Sequence, residues 1–170
     1  MAKLSLYLAT LLLGTNFSAS IGPNTLPQAI VQTQLTAEEQ RFTDLANAER
    51  QARSLNVLSV NPLLVQVARE HSREMWEKNY FDHISPTPGL KTPMNRYLKA
   101  LGRTPRWAYL GENLFYCSVV DPDRGHKCLM ASPKHRENML NAKFREIGVG
   151  AFIAPDGQFY VTQLFLAQAD

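Results

Sequence analysis

Two histidines and one glutamate stand in three short polar segments of this chain: Phe81-Asp82-His83-Ile84-Ser85-Pro86, Gly111-Glu112-Asn113 and Ser132-Pro133-Lys134-His135-Arg136-Glu137-Asn138. Glu112 falls inside an otherwise apolar stretch, so if it faces inward its carboxylate must find a partner, a histidine or an arginine. His135 falls on the first turn of a helix opened by Ser132-Pro133. There the positive end of the helix dipole lowers the imidazole pKa and favours the neutral ring, the form that serves as metal ligand or hydrogen-bond acceptor. His83 follows an aromatic-rich turn, and Ser85-Pro86 with Pro88-Gly89 keeps the chain beyond it loop-like. If His83, Glu112 and His135 converge, with Ser132 beside them, they line one polar cleft. His71 and His126 read differently: the first lies on an apolar helical stripe, as a core histidine donating to a backbone carbonyl, and the second lies in a turn-rich loop, exposed.

The elements that must position these residues are helical first and extended late. Thr36-Ala37-Glu38-Glu39 is a capping box, and Phe42, Leu45, Ala46 and Ala52 follow at helical spacing, which predicts a helix over 37–53. Asn61-Pro62 opens a second helix, with Leu64, Val67, Ala68, His71 and Met75 on one stripe, ending near Asn79. A third, over 94–101, stops at Gly102. Beyond Trp107 the pattern turns extended: a strand over 109–116 carries Glu112, short helices are expected over 126–131 and 133–140, and 147–153 with 159–166 form a hairpin around Ala154-Pro155-Asp156-Gly157. Helices followed by a small antiparallel sheet with a helical insertion make an α+β fold.

The amino terminus reads as an export signal. Lys3 precedes an apolar run, Leu4 to Leu13, and a small-residue stretch ends at Ser18-Ala19-Ser20, so cleavage is expected near residue 20. The run has about half the roughly 20 apolar residues of a membrane span. Residues 21–36 form a polar lead-in and 37–170 a single domain, expected to be a secreted or periplasmic monomer rather than an integral membrane protein. The chain is 45% hydrophobic, and a domain of this size can build its own core. A net charge of +3, with no basic stripe interleaved with aromatics, argues against nucleic acid as a partner. Cys117 and Cys128 enclose a turn-rich loop, and in an oxidising compartment a disulfide between them is expected, worth about 3 kcal/mol on the chain-entropy model. The alternative is a pair of buried thiols.

Seven collinear motifs then carry a resemblance: Asn47-Ala48-Glu49-Arg50, Val67 to Met75, Tyr80 to Pro86, Gly111-Glu112-Asn113, Ser132 to Leu140, Ile147-Gly148-Val149-Gly150 and Tyr160 to Phe165. Together they resemble the bacterial branch of the CAP (SCP-like) superfamily, which unites cysteine-rich secretory proteins, insect-venom antigens and plant pathogenesis-related proteins. The resemblance implies a three-layer α-β-α sandwich with a cleft lined by two histidines and two acids. His83, Glu112 and His135 match three of those four. Where eukaryotic members carry the second acid, this chain has Leu129 to Ser132 and no carboxylate.

Two histidines and a glutamate with an open position can hold a divalent ion such as zinc; alternatively, Glu112 orients one imidazole in a metal-free cleft. Three functional readings follow. In the first, a secreted module binds a small-molecule, lipid or cell-envelope ligand through His83, Glu112, Ser132 and His135. In the second, a metal- or histidine-activated water, with Glu112 as general base, hydrolyses a peptide or ester; the chain lacks His-Glu-x-x-His and Gly-x-Ser-x-Gly motifs. The third is an interaction protein that works through the loops at 86–93 or 117–128. Family likeness does not choose among them, because one fold hosts many roles.

Overall fold

A computed structural model describes residues 33–169. The export signal read over residues 1–20 and most of the lead-in lie outside the described residues. Among the described residues, five helices and four strands follow in the order α1 (Ala37–Gln51), β1 (Ser59–Val60), α2 (Pro62–Glu77), α3 (Pro93–Leu101), β2 (Trp107–Cys117), α4 (Pro122–Ala131), α5 (Pro133–Leu140), β3 (Glu146–Ile153) and β4 (Phe159–Ala169). The caps explain the boundaries. Thr36 and Glu39 close the expected capping box on α1, Asn61 accepts from Leu63 and Leu64 N–H groups at the start of α2, and Gly102 ends α3 at φ 69°.

The sheet order is β1-β3-β4-β2, with β1 parallel to β3 and the other pairs antiparallel. Central β4 alternates between two buried faces. Phe159, Val161, Phe165 and Ala167 pack with α1, α4 and α5 through Phe42, Ala46, Leu129 and Met139, while Leu164 and Leu166 pack with α2 and α3 through Leu64, Val67, Ala68 and Tyr97. Helices on both faces of one sheet make the expected three-layer sandwich. β2 lies at one edge of that sheet, which exposes its outer side to both helical layers at once.

Two segments differ from the sequence expectation. The stretch between the cysteines is mostly helix: Asp121 caps α4 by accepting from Arg124 N–H at 2.9 Å, so the helix starts at Pro122 rather than 126. Its inward face is Gly125, His126 and Leu129, and His126 is therefore buried instead of exposed, its Nε2 3.9 Å from Glu49 Oε1. The expected disulfide is not present either. Cys117 and Cys128 are free thiols; Cys117 packs against the core at the end of β2, while Cys128 stands on the exposed side of α4. The two-residue β1 is too short to show a period in the sequence.

Close contact between α2 and β3 is set by glycines. A Cβ at Gly150 would lie 2.0 Å from Arg69 N, and one at Gly148 2.3 Å from the Leu64 carbonyl carbon. Both obstacles are backbone, so neither can move aside as a side chain would. Gly150→Ala should cost about 3 kcal/mol or more by forcing helix and strand apart. Denaturant unfolding of the full chain measures this, and a loss below about 1 kcal/mol would contradict the tight packing.

Candidate functional site

Glu112 sits on the face of β2 that looks toward α2 and α3, with its side chain 2% exposed. Both partner types that a buried carboxylate calls for are present. His83 Nδ1 donates to Glu112 Oε1 at 2.8 Å, and Arg96 Nη2 of α3 donates to Oε2 at 2.5 Å. Each oxygen thus has its own cationic or polarised donor, which offsets the desolvation of the carboxylate. The hydrogen bond to Glu112 raises the His83 pKa above its ordinary value, more than burial lowers it.

Arg96 also holds the loop on which His83 is carried. Its Nη1 donates to three main-chain oxygens, those of His83 at 3.1 Å and of Leu90 and Lys91 at 3.3 Å. Sequence reading misses Arg96. One arginine in a short amphipathic helix looks like a surface charge, and only its burial at 5% exposure, opposite a buried acid, marks its role.

A second network anchors the beginning of the same loop. His71 is buried in α2 and its Nε2 donates to Asp82 O at 3.2 Å, as its place on the apolar stripe implies, and burial lowers its pKa. Glu74 accepts from Tyr80 Oη at 2.6 Å, Lys78 Nζ at 2.8 Å, Ser85 Oγ at 3.0 Å and the Thr87 hydroxyl. Burial alone would raise the Glu74 pKa, but the donors outweigh it and hold it down at about 2. His83 is therefore carried on a turn tied down on both sides, and its half-exposed ring faces outward from Glu112.

From the opposite layer, α5 closes over the edge of β2. Asn138 Nδ2 donates to Glu112 O at 3.1 Å and to Asn113 Oδ1 at 2.9 Å, and Asn113 Nδ2 donates to His135 O at 3.0 Å. This places the His135 backbone, one turn before Asn138, against β2 at Asn113, the residue after Glu112. Burial lowers the His135 pKa, and the charge of His83 lowers it further. Ser132 is half-buried at the α4–α5 junction and makes no side-chain capping bond to α5.

This geometry changes the place of Glu112 in any metal site. No group of three or more His, Cys, Asp or Glu side chains among the described residues is arranged to hold an ion. With both its oxygens engaged, Glu112 fits the position behind a ligating histidine, where a carboxylate fixes the tautomer and orientation of the ring.

Helices on both faces of a small four-stranded sheet define a class of small α+β domain. The cysteine-rich secretory protein family (CAP) matches residues 43–165, and the chain belongs to that family. It is 40% identical over 116 residues to the uncharacterized protein YkwD of Bacillus subtilis, covering 68% of this chain and 43% of YkwD. Among solved structures it resembles an extracellular SCP-domain protein of Bacillus anthracis, at TM-score 0.62 and 30% identity over 81% of this chain and 45% of that one. An outer surface protein of Borrelia burgdorferi shares the fold at TM-score 0.66 and 22% identity, over 76% of this chain and 91% of that one. The chain spans less than half the length of the curated relatives it matches. No helix among the described residues is long and apolar enough to cross a membrane.

The site makes two measurable demands. The His83 pKa, followed by NMR, should lie above 6.5 and fall on Glu112→Gln. Because the folded value is raised, the stability that His83 contributes is present in full below the unfolded pKa and is lost as pH rises through the folded one. Arg96→Met, which leaves the Glu112 carboxylate buried without its guanidinium, should cost about 3–5 kcal/mol. Chemical denaturation at neutral pH checks it, and a cost below about 1 kcal/mol would show that Arg96 is not the clamp.

Proposed function

We propose that the chain is an exported ligand-binding module whose cleft offers two imidazoles, His83 and His135, to a polar ligand or a divalent ion. The observation that carries this reading is the Arg96–Glu112–His83 relay. A buried ion pair spends its polarity on aiming one ring, and the atom left over is His83 Nε2, on the half-exposed side of that ring. Such prior fixing of a contact group lowers the entropy lost on binding.

His135 supplies the second contact in its neutral form. When bound, a divalent ion such as zinc would polarise whatever polar group the ligand presents; His83 and His135 would hold it, with Glu112 orienting His83 and Arg96 neutralising Glu112. The same contacts argue against a hydrolase. Glu112 accepts from Arg96 on one oxygen and from His83 on the other, so it is poorly placed as a general base. Export is supported by the amino-terminal reading and by the extracellular SCP-domain protein of B. anthracis at 30% identity.

Zinc titration of the full chain tests the site. At a hundredfold excess over Kd, binding adds about 2.7 kcal/mol and raises Tm on the order of 10 °C. His83→Ala and His135→Ala should each abolish the shift, and wild-type NMR should show the perturbation centred on both rings. An unchanged Tm and unperturbed imidazoles at saturating zinc would remove the ion from the reading. A shift that survives both substitutions would place binding elsewhere.

A further inference from the structure

Beyond the end of α2, the sheet carries a row of aromatic side chains that the His83–Glu112–His135 cleft does not use. Phe152 of β3, Tyr160 of β4 and Tyr116 of β2 are direct cross-strand partners, Phe152 with Tyr160 and Tyr160 with Tyr116, so their side chains stand side by side on one face. Phe81, from the turn after α2, extends the row past the sheet edge, and Trp76 of α2 flanks its other end. Ring centroids are 5.9 Å apart for Phe81–Tyr116, 4.8 Å for Tyr116–Tyr160 and 5.4 Å for Trp76–Phe152. The outer two members are open to solvent, Phe81 at 48% and Tyr116 at 42%.

The row is more than an apolar patch. Phe81, Tyr116 and Tyr160 share a groove of about 320 Å³ with the Tyr80 ring and two carboxamides, Asn79 and Gln158. Asn79 holds φ 53°, a left-handed conformation that asparagine tolerates, and so turns the chain out of α2 at the rim. Gln158 Oε1 accepts from Tyr160 Oη at 2.9 Å, which leaves its NH2 as a donor. Tyr80 contributes only its ring, since its hydroxyl is committed to Glu74. None of the residues lining the groove is charged.

The chemistry of such a lining selects among partners. Nucleic acid and anionic lipid need cations, which this groove does not offer. A protein helix seeks a wide apolar stripe, and here the solvent-open aromatic surface is two tilted rings at a rim that also carries two carboxamides. A pyranose chain fits instead: its C–H faces pack on the faces of Phe81 and Tyr116, and its hydroxyl or acetamido groups pair with the carboxamides of Asn79 and Gln158. We infer that the Phe81–Tyr116–Tyr160 groove is a binding site for an uncharged pyranose oligosaccharide. Phe81 lies two residues before His83, and Tyr116 lies on the same face of β2 as Glu112, so a bound chain would run toward the cleft. The inference does not depend on what the imidazoles hold.

Calorimetric titration of the full chain with cellotetraose and with tetra-N-acetylchitotetraose tests it, one arm lacking and one bearing acetamido groups. At least one should bind. Phe81→Ala and Tyr116→Ala should each weaken binding tenfold or more, Tyr116→Phe should stay within about threefold of wild type, and Trp107→Ala, an equally exposed aromatic at the other end of β2, should bind as wild type. Each alanine variant removes ring contacts only at the open edge of the row, so both should stay folded, with Tm lowered by at most a few degrees. Preference for the chitin oligomer assigns an acetamido contact to the groove, and equal binding of both sugars assigns the pyranose faces alone. No heat with either sugar at millimolar concentration, or affinity unchanged in both alanine variants, would overturn the inference.

Discussion

A carboxylate taken out of water in the middle of a strand organises this domain. Once Glu112 is buried, it requires a cation within hydrogen-bond distance, and Arg96 supplies it from α3. The remaining Arg96 donors then determine where the preceding loop can lie, and that loop delivers His83 back to the same carboxylate. Strand, helix and loop are thereby fixed to one another by a single charged centre. Breaking it would leave either an unpaired acid or an unpaired base in the core, so the arrangement has few neighbouring alternatives.

The edge position of β2 does the rest. A strand inside the sheet would have its peptide groups occupied on both sides, whereas β2 pairs only with β4. Its outer oxygen at Glu112 is taken by Asn138 from the layer opposite to Arg96. This lets residues from both helical layers meet without any loop crossing the core. It also blunts an edge that would otherwise offer itself to another strand.

Much of this is legible in the residues. Capping boxes, the Asn-Pro helix start, Gly102 and the late β-branched runs locate most elements to within a few residues, because each signal is local. The pairing of Glu112 with a histidine or arginine follows from the cost of burying a charge. What local pattern does not contain is which partner: Arg96 is far from Glu112 in sequence pattern, and its burial depends on how α3 leans on β2. His126 escapes for a related reason. Asp-Pro-Asp-Arg-Gly has the composition of a turn, but Asp121 and Pro122 there begin a helix, and the helix turns His126 inward. Compartment and spacing argue for joining the cysteines, yet neither knows the face of α4 on which Cys128 falls.

Arg96 grips the His83 loop through main-chain oxygens alone, at His83, Leu90 and Lys91. Every residue type offers the same carbonyl, so the grip is indifferent to the identity of Ile84, Pro86, Pro88 or Leu90. The rim around the imidazole can therefore change its side chains while the ring stays aimed, a division between constant anchor and variable surface.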